Sequence, residues 1–261
     1  MSFRTNASAA LCAVAILAAA CGGSNQQATT TPAEQKASTP AEPPPPLPGE
    51  STIAGRVALS GKAPAERVIK MSTADPLCMA EGGTIKSEII VVGPDNALQN
   101  VFLYVKDGLG DRTFVAPKTP VVLDQSGCKY LPHVFGAQVG QPVEIANSDP
   151  TLHNVHAVAK VNEEFNFTQP KGDRRMRTFN KPEIMVPFKC EVHGWMNSYL
   201  GVLPHPFYAV SKPDGTFEIK GLPAGTYTIE AWHERLGVQT QKVTVDGKAG
   251  AKADFSFEMK S

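Results

Sequence analysis

From Thr52 to the end of the chain, short apolar runs alternate with turn residues, and this pattern constrains the fold more than any other feature. The 261 residues include 22 Gly and 22 Pro, and runs such as 101–105 (Val-Phe-Leu-Tyr-Val) lie between such residues. Apolar and polar residues alternate in 227–231, as in a half-buried strand. No long stretch has helical periodicity. The sequence therefore predicts an all-β fold made of one or two sandwiches or barrels.

Charge and motif content exclude several classes of function. Lys plus Arg and Asp plus Glu both number 25, so the formal net charge is zero. This argues against nucleic acid as a partner, because neutralising phosphates requires a basic surplus. The sequence shows no nucleophile–base pair, no second set of metal ligands and no Gly-rich phosphate loop. We therefore expect a protein that is not an enzyme.

The N-terminal residues read as a targeting segment. The apolar stretch 9–20 is too short to cross about 30 Å of hydrocarbon as a helix and has the length of a signal-peptide core. Small residues before Cys21, followed by Gly-Gly-Ser, resemble the bacterial lipoprotein cleavage box. That resemblance implies a signal peptide over 1–21, lipidation of Cys21 and attachment to the periplasmic side of a bacterial membrane. The alternative is ordinary signal cleavage at an Ala, which leaves Cys21 unmodified. Residues 22–50 are rich in Thr, Ala and Pro and predict an extended linker.

Two later segments carry candidate metal ligands: residues 145–156 contain His153, and residues 188–196 contain Cys190, His193 and Met196. A thiolate, two imidazoles and a thioether form a soft mixed set, and a His₂Cys site with a weak Met is the blue-copper arrangement. Zinc is the competing metal, but structural zinc sites favour four Cys or His ligands and do not use a thioether. Taken singly, each residue also has a structural interpretation, as a core Cys, a hydrogen-bonded His or a core Met.

The motifs Cys-x-x-His-x-x-Met and His-Asn-Val-His, preceded by the run 139–149, resemble the cupredoxins of the amicyanin and plastocyanin type. The resemblance covers 113–206 and implies a Greek-key β-sandwich that carries electrons one at a time between partner proteins. It implies copper as the cofactor, and the copper ligands would be His153, Cys190, His193 and Met196. Asn154 matches a residue that steadies the ligand loop by hydrogen bonds, and His156 matches a non-ligand His.

In that family the ring edge of the second ligand His lies near an apolar surface patch, through which the electron leaves. By the same resemblance, His193 would provide this edge. Trp195, Pro204 and Phe207 are the candidates for the patch, and their alternative role is core packing.

The C-terminal part resembles a second family, the carboxypeptidase regulatory-like domain, which is a smaller transthyretin-like β-sandwich. Residues 211–229 contain Asp-Gly and Pro-Ala-Gly turns before strands. The opening Gly-x-Val strand of that family is matched by 55–57, and its next apolar strand by 100–105. The resemblance implies a domain made of 51–112 and 207–261, interrupted by the cupredoxin region 113–206. The alternative is two sandwiches in series.

The cysteines outside the signal and the candidate metal site are Cys78 and Cys128. Two remaining cysteines in an oxidising compartment suggest one disulfide, which would close a loop of about 50 residues. Two unpaired buried thiols are the alternative.

These observations lead to one main hypothesis and two others. The main hypothesis is a type 1 (blue) copper protein of the cell envelope that carries single electrons to or from a redox partner protein and is held at the membrane through Cys21. The second is a copper-binding or copper-handling lipoprotein without electron transfer. The third is a β-sandwich module that binds a polysaccharide or another partner.

Overall fold

The computed structural model describes Gly49 and residues 51–71, 75–80 and 83–259. The predicted signal peptide, the lipidation at Cys21 and all of the linker except Gly49 lie outside the described residues. Within the described ranges, no helix combines the length and apolarity needed to cross a bilayer.

The described chain is almost entirely β, with one short helix, α1 (Pro76–Ala80), and a 3-10 turn at Pro94–Asn96. The strands are β1 (Ser51–Ser60), β2 (Val68–Lys70), β3 (Thr84–Lys86), β4 (Phe102–Asp107), β5 (Val121–Gln125), β6 (Tyr130–Leu131), β7 (Val134–Gln138), β8 (Pro142–Asn147), β9 (His153–Ala157), β10 (Phe165–Gln169), β11 (Arg174–Thr178), β12 (Glu183–Lys189), β13 (Asn197–Leu203), β14 (Tyr208–Val210), β15 (Thr216–Leu222), β16 (Gly225–His233), β17 (Gly237–Val245), β18 (Ala251–Lys252) and β19 (Phe255–Glu258). The predicted all-β fold class is confirmed.

Strands β5 to β13 form a two-sheet sandwich, which we call the central sandwich (residues 121–203). One sheet has the order β10-β9-β12-β13-β7 and the other has the order β11-β8-β5-β6. Their inner faces meet because apolar residues point inward from both sheets, as the strand periodicity of two requires. The core so formed includes Leu123, Val143, Ile145, Val155, Phe188, Leu200 and Val202.

A second sandwich, the outer sandwich, contains residues 51–60, 102–107 and 208–258. In one sheet β1 pairs with β15, β18 and β19, and the other sheet has the order β14-β4-β16-β17. Strands that precede and follow the central sandwich therefore share one core, which includes Ile53, Leu103, Phe217, Ile229 and Phe255. That this sandwich belongs to the transthyretin-like family remains a prediction.

The two sandwiches meet where aromatic rings lie on glycines. Gly136 of β7 and Gly201 of β13 are opposite each other in the parallel ladder. A Cβ added at Gly136 would lie 2.3 Å from the ring of Tyr208, and one added at Gly201 would lie 2.4 Å from the ring of Phe102. The two rings belong to the outer sandwich and stack with centroids 5.5 Å apart. Only residues without a side chain allow this approach.

We predict that Gly201→Ala destabilises the protein by about 1–3 kcal/mol, because the added methyl group overpacks the contact with Phe102. Urea unfolding of the full chain measures the change. Gly194→Ala is the matched control, since no atom lies within 4 Å of a Cβ added there, and it should stay within about 0.5 kcal/mol of the wild type. When Phe102→Leu is added, the double variant should be destabilised by less than the sum of the two single changes. Equal stability of the two alanine variants would contradict this account.

Candidate metal centre

Antiparallel pairing of β9 and β12 brings the candidate ligands together. His153 begins β9, Cys190 follows β12, and the two strands are paired at Phe188↔Ala157. His193 then lies in the tight loop that leads from β12 into β13. One ligand atom from each of His153, Cys190 and His193 lies within 4.8 Å of the others, and all three residues are buried.

Backbone amides hold the Cys190 sulfur in this group. The N–H of Asn154 donates to Sγ over 3.4 Å and the N–H of His193 over 3.3 Å. The loop closes on itself, since Met196 donates its N–H to the His193 carbonyl oxygen at 2.8 Å. Met196 is itself buried, in the same apolar cluster as Cys190. One hydrogen-bonded turn therefore carries Cys190 and His193, and Met196 ends this turn.

Each imidazole has a carboxylate behind it. Nε2 of His153 lies 2.7 Å from Asp149 Oδ2, and Nε2 of His193 lies 3.0 Å from Asp75 Oδ2. The two Nδ1 atoms consequently face each other at 2.9 Å, and Nδ1 of His193 is 3.7 Å from Cys190 Sγ. Carboxylates on the distal nitrogens fix the orientation of ligand imidazoles. Two ring nitrogens and one sulfur therefore converge on the same point.

This donor set fits copper. Imidazole and thiolate are ligands that copper prefers, and the three protein ligands of a His₂Cys site are all present. Two other groups of potential ligands include Cys78 or Cys128. Both sulfurs are joined in a disulfide with a Cα–Cα distance of 5.8 Å, so neither is a thiolate here. Cys190 is the free cysteine of the described residues.

The ionisation of the site follows from its burial and its charges. Burial lowers the pKa of His153, but hydrogen bonds to Asp149 and Cys190 outweigh it and raise the pKa to about 9. Burial raises the pKa of the Cys190 thiol, but the contact with His153 and the amides of Asn154 and His193 lower it below its usual value. The pKa of His193 is lowered by burial and by the positive charge of His153. The surroundings of the site therefore favour the protonated form of His153 and the thiolate form of Cys190.

Asn154 fastens the start of the ligand loop to the neighbouring strands. Its Oδ1 accepts the N–H of Glu191 at 3.2 Å, and its Nδ2 donates to Asn166 Oδ1 at 2.7 Å. His156 points away from the ligand group: its two ring nitrogens contact Glu191 and Glu164. Its ring therefore has no nitrogen available for the site.

The prediction of an apolar surface patch at the edge of the His193 ring is wrong. His193 is only 1% exposed, because Asp75 and Cys78 lie against Nε2 of its ring. Phe207 is buried in the core of the outer sandwich. Trp195 lies against the His193 ring with centroids 5.1 Å apart, and its Nε1 donates to the carbonyl oxygen of Cys128.

Two residues of the site were missed by sequence reasoning. Asp149 lies four residues before His153, and Asp75 lies 118 residues before His193. The Asn-Ser-Asp corner before His153 was a usable signal for Asp149. For Asp75 the signal was weaker, namely its position three residues before a cysteine expected to form a disulfide.

No protein-family model and no curated protein sequence matches the chain. Among solved structures, an oxidized amicyanin variant is similar at 24% identity, over 38% of this chain and 97% of that one, with a TM-score of 0.30. A purple cupredoxin from Nitrosopumilus maritimus is similar at 20% identity, over 32% and 97%, with a TM-score of 0.27. A copper-containing nitrite reductase from Thermus scotoductus SA-01 is similar at 24% identity, over 35% of this chain, with a TM-score of 0.31. The chain spans 24% of that reductase.

We predict that Asp149→Asn makes the stability of the metal-free protein less dependent on pH. The raised pKa of His153 means that the folded state binds more protons than the unfolded state between 6.5 and about 9, so it stabilises below 6.5 and this stabilisation is lost as the pH rises. Asp149 provides the largest of the interactions that raise this pKa. Removing its negative charge should therefore remove much of this pH dependence.

Urea unfolding at a series of pH values checks this. Between neutral pH and pH 9, Asp149→Asn should lose about 1–2 kcal/mol less stability than the wild type does. Parallel curves for the wild type and Asp149→Asn would contradict the role of Asp149 in holding the proton on His153.

Proposed function

We propose that this is a type 1 copper protein of the cell envelope that carries one electron at a time. The observation that supports this most directly is the convergence of His153, His193 and Cys190 in a buried group whose ligand atoms all lie within 4.8 Å of one another. Two amide N–H groups directed at Cys190 Sγ favour a thiolate there.

The chain's residues would hold copper as follows. His153, His193 and Cys190 would be the ligands, and we assign Met196 as the weak fourth ligand from its place in the same loop. Copper, when bound, supplies a one-electron couple between Cu(II) and Cu(I). The protein keeps water away from the group by burial, and the amides and carboxylates around the ligands keep these side chains in place. A site fixed in this way needs little rearrangement when its charge changes.

The test is the visible absorption and electron paramagnetic resonance spectrum of the full chain after addition of Cu(II). We expect an intense thiolate-to-copper band and a narrow copper hyperfine splitting, because Cys190 provides a thiolate ligand. Cys190→Ser and His153→Gln should abolish both features. His156→Gln is the matched control and should keep them, since both nitrogens of that ring are engaged outside the site. A colourless protein that binds zinc more tightly than copper would refute the proposal.

A second function has specific support: copper binding or handling without rapid electron transfer. The edge of the His193 ring is covered rather than open to a partner protein. Electron self-exchange of the copper-loaded protein separates the two functions. Rapid exchange supports an electron carrier that meets a redox partner protein, whereas exchange too slow for turnover supports copper handling. Binding of a polysaccharide by the outer sandwich remains a prediction from the sequence alone.

We also propose that the protein is held on the periplasmic side of a bacterial membrane by lipid at Cys21. Cys21→Ser should move the protein from the membrane fraction to the soluble fraction, because lipid attachment requires the thiol. Copper binding should be unchanged, since the site lies in the central sandwich. Retention of the variant in the membrane fraction would contradict the lipid anchor.

A further inference from the structure

We propose that Asp75, which lies outside the central sandwich, is a positioning residue for His193, and that the Cys78–Cys128 disulfide holds it there. This inference rests on the proposed copper function, which it extends. Nothing in the ligand motifs themselves indicates such a residue, because it comes from the segment between β1 and β4.

Both oxygens of the Asp75 carboxylate are engaged. Oδ2 lies 3.0 Å from Nε2 of His193 and accepts the Thr151 hydroxyl at 2.8 Å. Oδ1 accepts the N–H groups of Leu77 at 2.9 Å and Cys78 at 3.3 Å, at the start of α1. These four contacts prevent the carboxylate from turning. It can therefore act on His193 as a fixed acceptor rather than as a mobile surface charge.

The contact selects one tautomer of His193. An acceptor at Nε2 places the ring hydrogen there, and the lone pair of Nδ1 is then available on the side of Cys190, 3.7 Å away. With the other tautomer, a hydrogen on Nδ1 would block the donor atom. Asp75 therefore prepares His193 for metal binding in the same way that Asp149 prepares His153.

The disulfide links these two carboxylates mechanically. The N–H of Cys78 donates to Asp75, and the N–H of Cys128 donates to Asp149 Oδ2 at 2.9 Å. Each half of the disulfide thus holds the carboxylate behind one imidazole. Sγ of Cys78 also lies 3.8 Å from Nε2 of His193, so the disulfide itself covers that ring. A single covalent bond therefore fixes both the spacing of the rings and the cover over the site.

Two effects on bound copper follow. A half-buried carboxylate beside a ligand favours the more highly charged metal ion, so Asp75 lowers the reduction potential. The segment around Cys78, which the disulfide holds over His193, also slows the loss of copper to a chelator. Neither effect needs Asp75 to touch the metal.

Asp75→Asn is the decisive variant because its effect on the tautomer has a definite direction. The amide N–H groups at the start of α1 require an oxygen opposite them, so the Asn side chain must turn its NH₂ group toward Nε2 of His193. A donor there moves the ring hydrogen to Nδ1. Nitrogen chemical shifts of the metal-free full chain should show the Nε2–H tautomer in the wild type and its loss in Asp75→Asn.

In the copper-loaded protein, Asp75→Asn should weaken copper binding by about 10–100-fold. Its reduction potential should rise, by about 59 mV for each tenfold change in the Cu(II)-to-Cu(I) affinity ratio. Asp75→Glu keeps an acceptor and should restore the tautomer and part of the affinity. The double variant Cys78→Ser, Cys128→Ser should lose copper to a chelator at least tenfold faster. Asp111→Asn, at an exposed residue, is the control and should match the wild type.

An unchanged tautomer, affinity and potential in Asp75→Asn would overturn the inference. If Asp75→Asn does not fold, Asp75→Ser replaces it. Serine keeps an oxygen for the amides at the start of α1 but places no carboxylate oxygen opposite Nε2 of His193, so the Nε2–H tautomer should be lost, and its retention would overturn the inference. If the wild type gives no thiolate-to-copper band, the proposed function fails. The tautomer of the metal-free protein still decides the role of Asp75.

Discussion

The cost of burying ionisable groups determines how this site is built. A thiol and two imidazoles lie within a sandwich of apolar side chains, where each would be strongly destabilising without hydrogen-bond partners. The protein provides these partners from several directions: backbone amides for Cys190, Asp149 for His153 and Asp75 for His193. The carboxylates are satisfied in turn by amides of the chain around the disulfide. The Cys78–Cys128 disulfide, the start of α1 and the pairing of the strands around the site all help to provide these hydrogen-bond partners.

The fold class and the ligand loop could be predicted because both are recorded locally in the sequence. Strand periodicity and turn residues need only a few neighbouring positions, and Cys190, His193 and Met196 lie within one loop. His153 was accessible too, since antiparallel neighbours such as β9 and β12 commonly place distant residues side by side. The burial of His193 was not accessible in this way. It depends on a segment 118 residues earlier, whose approach to the site is set by tertiary packing and a disulfide rather than by local pattern.

The same reasoning explains the error about the surface patch. Trp195 and Phe207 are both apolar and close to the ligand loop in sequence, which made an exposed patch plausible. In the structure Phe207 already belongs to the outer sandwich, and Trp195 is turned toward the disulfide by its bond to Cys128. Apolar residues identify a surface that must be covered, but the sequence does not show which element covers it.

The interleaving of the two sandwiches also favours one order of assembly. Strand β1 emerges early during synthesis, yet its partners β15, β18 and β19 are made only after the whole central sandwich. Its pairing with them is costly in chain entropy as long as the intervening residues are unfolded. Once the central sandwich has folded, its two ends lie close enough for Tyr104 and Tyr208 to pair across β4 and β14. The intervening domain then behaves as a short closed loop, so we expect the outer sandwich to be completed last.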